Sequence, residues 1–289
     1  MSFAAVHIHE GFVLALLLKM GLSALIAVSV TVLAEKAGPV VGALLATLPV
    51  TSGPAFFFLA QNHDAAFISQ TALSTFAQNI PTAIFATSYV LLAQRLSTAF
   101  SVGGAMCVWL FYLALSLWGD SSLPTALLLG ACVFPLCIVL VRPYRHALAS
   151  ASSPGQHASD LIVRGLAVAL LVGAIEVLGL VASPMWTGVL AAAPVLYLSL
   201  MIILQRRLGG PAAAAVIANS LAGFLGISLA FVTVYLLAVP LGKWTALAFG
   251  LTFSASWNTS LFVLHGRSAP VFQPNSNRLL PIEVNRSSS

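Results

Sequence analysis

The sequence predicts an all-α membrane protein of about nine transmembrane helices built from two inverted-topology repeats. Three observations carry this: long apolar runs between short polar stops, basic residues gathered on one side, and a proline-bearing segment that recurs at a fixed interval. Of the 289 residues 60% are hydrophobic and only 7% are charged, and the mean hydropathy is +1.01. A soluble domain carries roughly a quarter charged residues, because its surface faces water. Lipid is therefore the expected solvent, and a hydrocarbon core about 30 Å thick takes roughly 20 apolar residues per helix. The runs are continuous rather than alternating, which excludes a strand barrel.

Taken in order, span one runs from Gly11 to Ala34 and stops at Glu35-Lys36. The preceding M-S-F-A-A-V-H-I-H-E lacks the basic n-region of a cleavable signal, so this stretch is expected to be retained as a span. Span two starts at Pro39 and ends at Gln61, with Pro49 and the turn signal Ser52-Gly53-Pro54 inside it. Span three, Ala65 to Gln94, is expected to break at Asn79-Ile80-Pro81. Span four is Ser97 to Trp118 and span five is Leu123 to Val141. Residues 142–160 form a polar linker, after which spans six to nine cover Leu161–Ala182, Ser183–Gln205, Pro211–Val239 and Leu241–Leu264. The organisation is thus a first repeat plus connecting helix over 11–141, a linker over 142–160, a second repeat over 161–264, and a polar tail over 265–289 without periodicity.

The charges set an orientation. Lys36, Arg95, Arg142, Arg145, Arg206, Arg207, Arg267, Arg278 and Arg286 fall on one side of a nine-span layout, and Lys243 on the other. Lys19 and Arg164 lie within spans. Basic residues concentrate in cytoplasmic loops, which puts the amino terminus outside and the carboxyl terminus in the cytoplasm. The pI of 9.5 has the same origin, and no basic run interleaves with aromatics as nucleic-acid modules require.

A shift of 145 residues pairs Lys19 with Arg164, Pro39 with Pro184 and Pro49 with Pro194. One further residue of shift pairs Ser74 with Ser220, Thr87 with Thr233 and Tyr89 with Tyr235. Shared apolar composition explains matched leucines and alanines, but not two prolines at the same spacing with a cation and a tyrosine beside them. Equivalent segments are five spans apart, so the halves would be inverted, as in many secondary transporters. The run G-P-V-V-G-A-L-L-A-T-L-P-V, its polar stop and the next two helices resemble the small GlpM-like inner-membrane proteins of bacteria. Those are single four-helix units, so the resemblance implies that the unit occurs twice here, joined by span five and covering most of residues 11–264. It implies no substrate and no residue roles.

Several residues are candidates for chemistry. Pro49 and Pro194 each remove a helical hydrogen bond near mid-membrane, which either frees backbone for a substrate cavity or makes a packing kink. Thr71, Ser74, Thr75, Gln78 and Thr82 form a polar stripe with Asn79 beside it, and such a stripe must face protein or water rather than lipid. Thr51, Ser52, Gln78, Asn79, Tyr197 and Asn219 are the expected substrate contacts, between spans two, three, seven and eight. Interhelical hydrogen bonding is the plainer account of each one taken singly.

Lys19, Glu35, Arg164 and Glu176 are the intramembrane charges. Lys19 lies roughly 12 Å inside span one and Glu176 roughly 9 Å from the outer end of span six, at 1.5 Å per residue. Similar depth predicts Lys19–Glu176 and Arg164–Glu35 as two related ion pairs, since an unpaired charge in a bilayer costs at least about 2.5–3.5 kcal/mol.

The three cysteines lie in apolar runs, and no histidine has the acid-bearing spacing of a zinc protease. With no phosphate loop, serine elbow or acid–histidine constellation, the chain is expected to be neither an enzyme nor a cofactor protein. The expected function is a bacterial inner-membrane secondary transporter moving a small polar solute by alternating access, the alternative being an accessory or assembly protein for envelope or polysaccharide synthesis. Expected partners are the bilayer and an unidentified small molecule, without metal or nucleic acid, and homo-oligomerisation stays open.

Overall fold

The computed structural model describes residues 10–36, 52–116, 122–145 and 158–266. Of these, 93% are helical and none is in a strand. In chain order the helices are α1 (Glu10–Lys36), α2 (Ser52–Asn62), α3 (Ala65–Leu92), α4 (Thr98–Ser116), α5 (Leu123–Val141), α6 (Ala158–Val181), α7 (Pro184–Ala191), α8 (Val195–Leu208), α9 (Gly210–Leu241) and α10 (Lys243–Gly266). A single 3-10 turn, Arg142–Tyr144, follows α5.

Six stretches among the described residues are long and apolar enough to cross a membrane: Gly11–Val30, Thr98–Ser116, Leu123–Tyr144, Ser159–Val181, Pro184–Leu208 and Gly210–Leu241. The 28-residue α3 and the 24-residue α10 match them in length but dilute their apolar residues with Ser, Thr, Gln and Asn. Large apolar side chains stand outward in bands. Leu14, Phe100, Phe111, Leu128 and Val139 are 61–72% exposed, an arrangement suited to a hydrocarbon surrounding rather than to water.

Polar anchors fix how the helices lie. α3 and α9 run antiparallel through the centre: the Ser69 hydroxyl donates to the Tyr235 carbonyl at 2.8 Å, and Gly210 sits against the Ala93 carbonyl at the opposite end. α1 and α6 are likewise antiparallel, with Gly173 against Met20 and Gly165 against Val28. α7 and α8 instead follow α3 in parallel, through bonds from Ser74 to the Met185 carbonyl at 2.8 Å and from Thr82 to the Ala192 carbonyl at 3.1 Å. The buried core has two parts. One gathers Phe56, Leu59, Ile68, Phe76, Ile175 and Phe231, and the other gathers Phe85, Tyr89, Phe134, Met201, Ile217 and Leu221.

Two prolines behave differently. The expected break at Asn79-Ile80-Pro81 does not occur, and α3 continues through Pro81 to Leu92. Pro81 lacks the N–H that would bond the Ala77 carbonyl, but α3 is buried among its neighbouring helices on either side of the proline. Such packing lets a proline stay inside a membrane helix. Pro194, by contrast, does end a helix: Ala192–Pro194 separates α7 from α8, with Pro194 at φ −78° and ψ 38° as the N-cap of α8. Its counterpart Pro49 lies outside the described residues.

Candidate functional site

The break at Ala192–Pro194 lies directly on the polar stripe of α3. α7 can approach because residue 188 is glycine: a Cβ there would stand 2.6 Å from both the Thr71 carbonyl oxygen and the Ser74 Cβ. Around the break the backbone turns on itself, with Ala192 N–H bonding the Gly188 carbonyl at 3.1 Å and Val195 N–H bonding Ala193 at 2.8 Å. The Thr75 hydroxyl is 2.8 Å from the Thr71 carbonyl of its own helix and 3.4 Å from the Gly188 carbonyl of α7. The Thr82 hydroxyl is 3.1 Å from both the Gln78 and the Ala192 carbonyl. A hydroxyl has one proton, so each threonine divides it between its own helix and the broken one. Trp109 of α4 donates its indole N–H to Thr82 at 3.2 Å, which occupies a lone pair of that hydroxyl and leaves its proton to the two carbonyls.

One turn along, the Gln78 amide donates to the Ser116 hydroxyl at 2.9 Å, and Ser116 passes its proton to the Leu113 carbonyl at 2.8 Å. Among the described residues, three buried polar atoms of α3 have no partner: Thr71 Oγ1, Gln78 Oε1 and Asn79 Nδ2. A buried polar group left unsatisfied costs about 1–3 kcal/mol. The stripe therefore carries hydrogen-bonding capacity, both donor and acceptor, that its own packing does not use.

The expected substrate contacts do not converge on one place. Gln78 and Asn79 share the α3 stripe with the Pro194 break. Tyr197 turns its hydroxyl to Ser220 at 3.0 Å and meets the Phe224 ring edge-on at 5.6 Å. Asn219 donates to the Ala215 and Arg145 carbonyls at 2.9 and 3.2 Å. Ser52 lines a separate apolar cavity between α1, α2, α9 and α10, and Thr51 lies outside the described residues. Sequence reasoning missed Trp109 and Ser116 of α4. Periodicity gives no sign that either faces α3, and only a tryptophan N–H in the middle of an apolar span hinted at a buried acceptor.

Lys19, Glu176, Lys243 and Asp64 gather at one end of the bundle. Lys19 Nζ lies 2.6 Å from Glu176 Oε2, which also accepts from the Asn62 amide at 3.3 Å. Glu176 is buried at 5% exposure and Lys19 at 16% by side chain, and the ammonium sits 5.4 Å from the Phe58 ring centroid. Next to this pair Lys243 donates to the His63 carbonyl at 2.7 Å, and Asp64 caps α3 by accepting the Phe67 N–H at 2.8 Å. The His63 ring stacks on Phe67 with centroids 3.8 Å apart. Burial lowers the His63 pKa below its ordinary 6.5, while Glu176 and Asp64 pull the other way. At the far end Arg207 pairs with Asp160 at 2.6 Å. The other expected pair, Arg164–Glu35, depends on a Glu35 side chain outside the described residues.

No family model matches this chain, and no curated protein or solved structure matches it. The likeness to the GlpM-like proteins therefore rests on its own residues, and the glycine–proline run 38–50 that carries it lies outside the described ones.

Proposed function

We propose that this chain is a bacterial inner-membrane secondary transporter, nine spans in two inverted repeats of a GlpM-like unit, moving a small polar solute by alternating access. The observation that carries the reading is the discontinuous helix α7–α8, seated by its break on a buried polar stripe with unfilled donor and acceptor positions at Gln78, Asn79 and Thr71. Interrupted helices near the midplane are where such transporters hold their substrates. Antiparallel pairing of α1 with α6 and of α3 with α9 supports the inverted repeat, because equivalent helices of two inverted halves would run in opposite directions. Neutral polar groups dominate the stripe, which suits an uncharged or zwitterionic solute. The basic residues favour a cytoplasmic carboxyl terminus.

A cysteine at position 78 in a background lacking Cys107, Cys132 and Cys137 tests this without knowledge of the substrate. A pathway residue reacts with a membrane-impermeant thiol reagent from each face of oriented proteoliposomes, and a transported solute slows the reaction. Silence from both faces would remove α3 from any pathway. It would favour the second reading, a non-transporting accessory protein, which one observation supports: Ser74, Thr75 and Thr82 already engage backbone carbonyls of α7 and the break.

A further inference from the structure

We propose that the apolar groove between α1, α2, α9 and α10 binds one phospholipid, its acyl chain in the groove and its phosphate on Lys243. The groove holds about 590 Å³. Its floor is buried, formed by Phe56, Phe231 and Val234, while its rim residues Leu22, Phe57, Trp244 and Leu251 are about half exposed. It therefore opens sideways through helix faces that carry outward leucines, where hydrocarbon reaches it and water does not.

Three observations select the occupant. Among the described residues of the lining, Ser52 supplies the one side-chain hydroxyl and Trp244 the one indole N–H, so a polar solute placed there would forfeit most of its hydrogen bonds. Along α10 the lining runs from Trp244 to Leu251, which is roughly 10 Å at 1.5 Å per residue. That is most of one leaflet's share, about 15 Å, of the hydrocarbon core. Finally, the groove has a cation at its interfacial end. Lys243 opens α10 beside Trp244, with Nζ 5.8 Å from that ring, and tryptophan and lysine are residue types that mark headgroup level. Lys243 uses one N–H on the His63 carbonyl, and an ammonium has three donors, so two remain for phosphate oxygens. Lys19 at the same end is taken by Glu176, and Asp64 is engaged in capping α3.

The site is separate from the polar stripe, and its test does not depend on transport. The full chain is reconstituted in vesicles of a phosphate-free galactolipid, digalactosyldiacylglycerol, with increasing fractions of phosphatidylglycerol brominated near the top of its chains, or of diacylglycerol with the same brominated chains and no phosphate. Quenching of Trp244 is isolated as the difference between wild type and Trp244→Phe. The phospholipid should half-saturate at a mole fraction at least tenfold below that of the diacylglycerol. Lys243→Gln should erase that gap, and Ala248→Phe, which fills the groove, should weaken quenching by both. Equal half-saturation in the wild type, a preference that survives Lys243→Gln, or quenching unaltered by Ala248→Phe would each overturn the site.

Discussion

Removing either partner of the Lys19–Glu176 pair should destabilise the protein far more than removing both. Breaking a buried pair from one side leaves the other charge without compensation and costs about 3–5 kcal/mol, whereas replacing both by apolar residues of similar volume is often neutral or stabilising. The two sides are not equivalent here. Glu176 is 5% exposed and Lys19 16%, so Lys19→Met, which strands the carboxylate, should cost more than Glu176→Gln, which strands a lysine able to stretch toward the interface. With that relief, Glu176→Gln is expected near 2 kcal/mol, just below the range for buried pairs, and Lys19→Met near 3–4 kcal/mol, in its lower half. Lys19→Met/Glu176→Gln, which leaves neither charge, should return to within about 1 kcal/mol of wild type, giving a coupling energy of several kcal/mol. Reversible unfolding in bicelles, with the four proteins forming a double-mutant cycle, measures it. Single-site losses below about 0.5 kcal/mol that simply add would refute the reasoning, because snorkelling alone would then satisfy both charges.

Two further outcomes follow from single residues. Gly188→Leu should drive α7 off α3, since even its Cβ would meet the Thr71 carbonyl and the Ser74 Cβ at 2.6 Å; a loss of about 1–3 kcal/mol, typical of overpacking, is expected from thermal unfolding, and an unchanged midpoint would mean the two helices do not touch there. His63 should make stability fall as the medium is acidified. Burial holds its pKa below 6.5 in the folded protein, so between 6.5 and that lower value the unfolded chain takes up a proton that the native one refuses, and stability is lost as pH drops through this window. His63→Phe keeps a ring to stack on Phe67 and should flatten that slope between pH 7 and 5, and an identical slope in the variant would assign it to another group.

Much of this architecture is legible from polar punctuation. α5 runs from Leu123 to Val141 as its apolar run does, and α6 extends the expected span only at its amino end, to Ala158. The Lys19–Glu176 contact is legible for a stronger reason. A charge in hydrocarbon must find a partner, so counting residues from each polar stop was enough to place the two at one depth. Rotation about the helix axis is what the sequence withholds. Ser52 shares a span with the expected site yet faces the apolar groove, and Asn219 is next to Ser220 yet bonds the turn after α5 rather than Tyr197. Pro81 and Pro194 look alike in the chain but differ in what surrounds them. Pro81 sits in a helix largely buried among its neighbours, while at Pro194 the Gly188 and Ala192 carbonyls find hydroxyls of α3 to accept from.

The hydroxyls on α3 also say which end of α7 is anchored. Thr75 and Thr82 each have a carbonyl of their own helix within 2.8 and 3.1 Å. When the broken helix moves away, each proton falls back on that carbonyl, and little hydrogen-bond energy is lost. Ser74 has a different arrangement, with its hydroxyl directed across to the Met185 carbonyl at 2.8 Å. In the proposed cycle α7 thus pivots near Met185 and swings at Ala192. Ser74→Ala should then cost about 1 kcal/mol, one net hydrogen bond, while Thr75→Val, whose cross-helix distance is 3.4 Å, should cost less than about half of that. Unfolding free energies in bicelles decide between them. If Thr75→Val proves the more damaging, the anchor lies at Gly188 instead, and the break is clamped rather than free to swing.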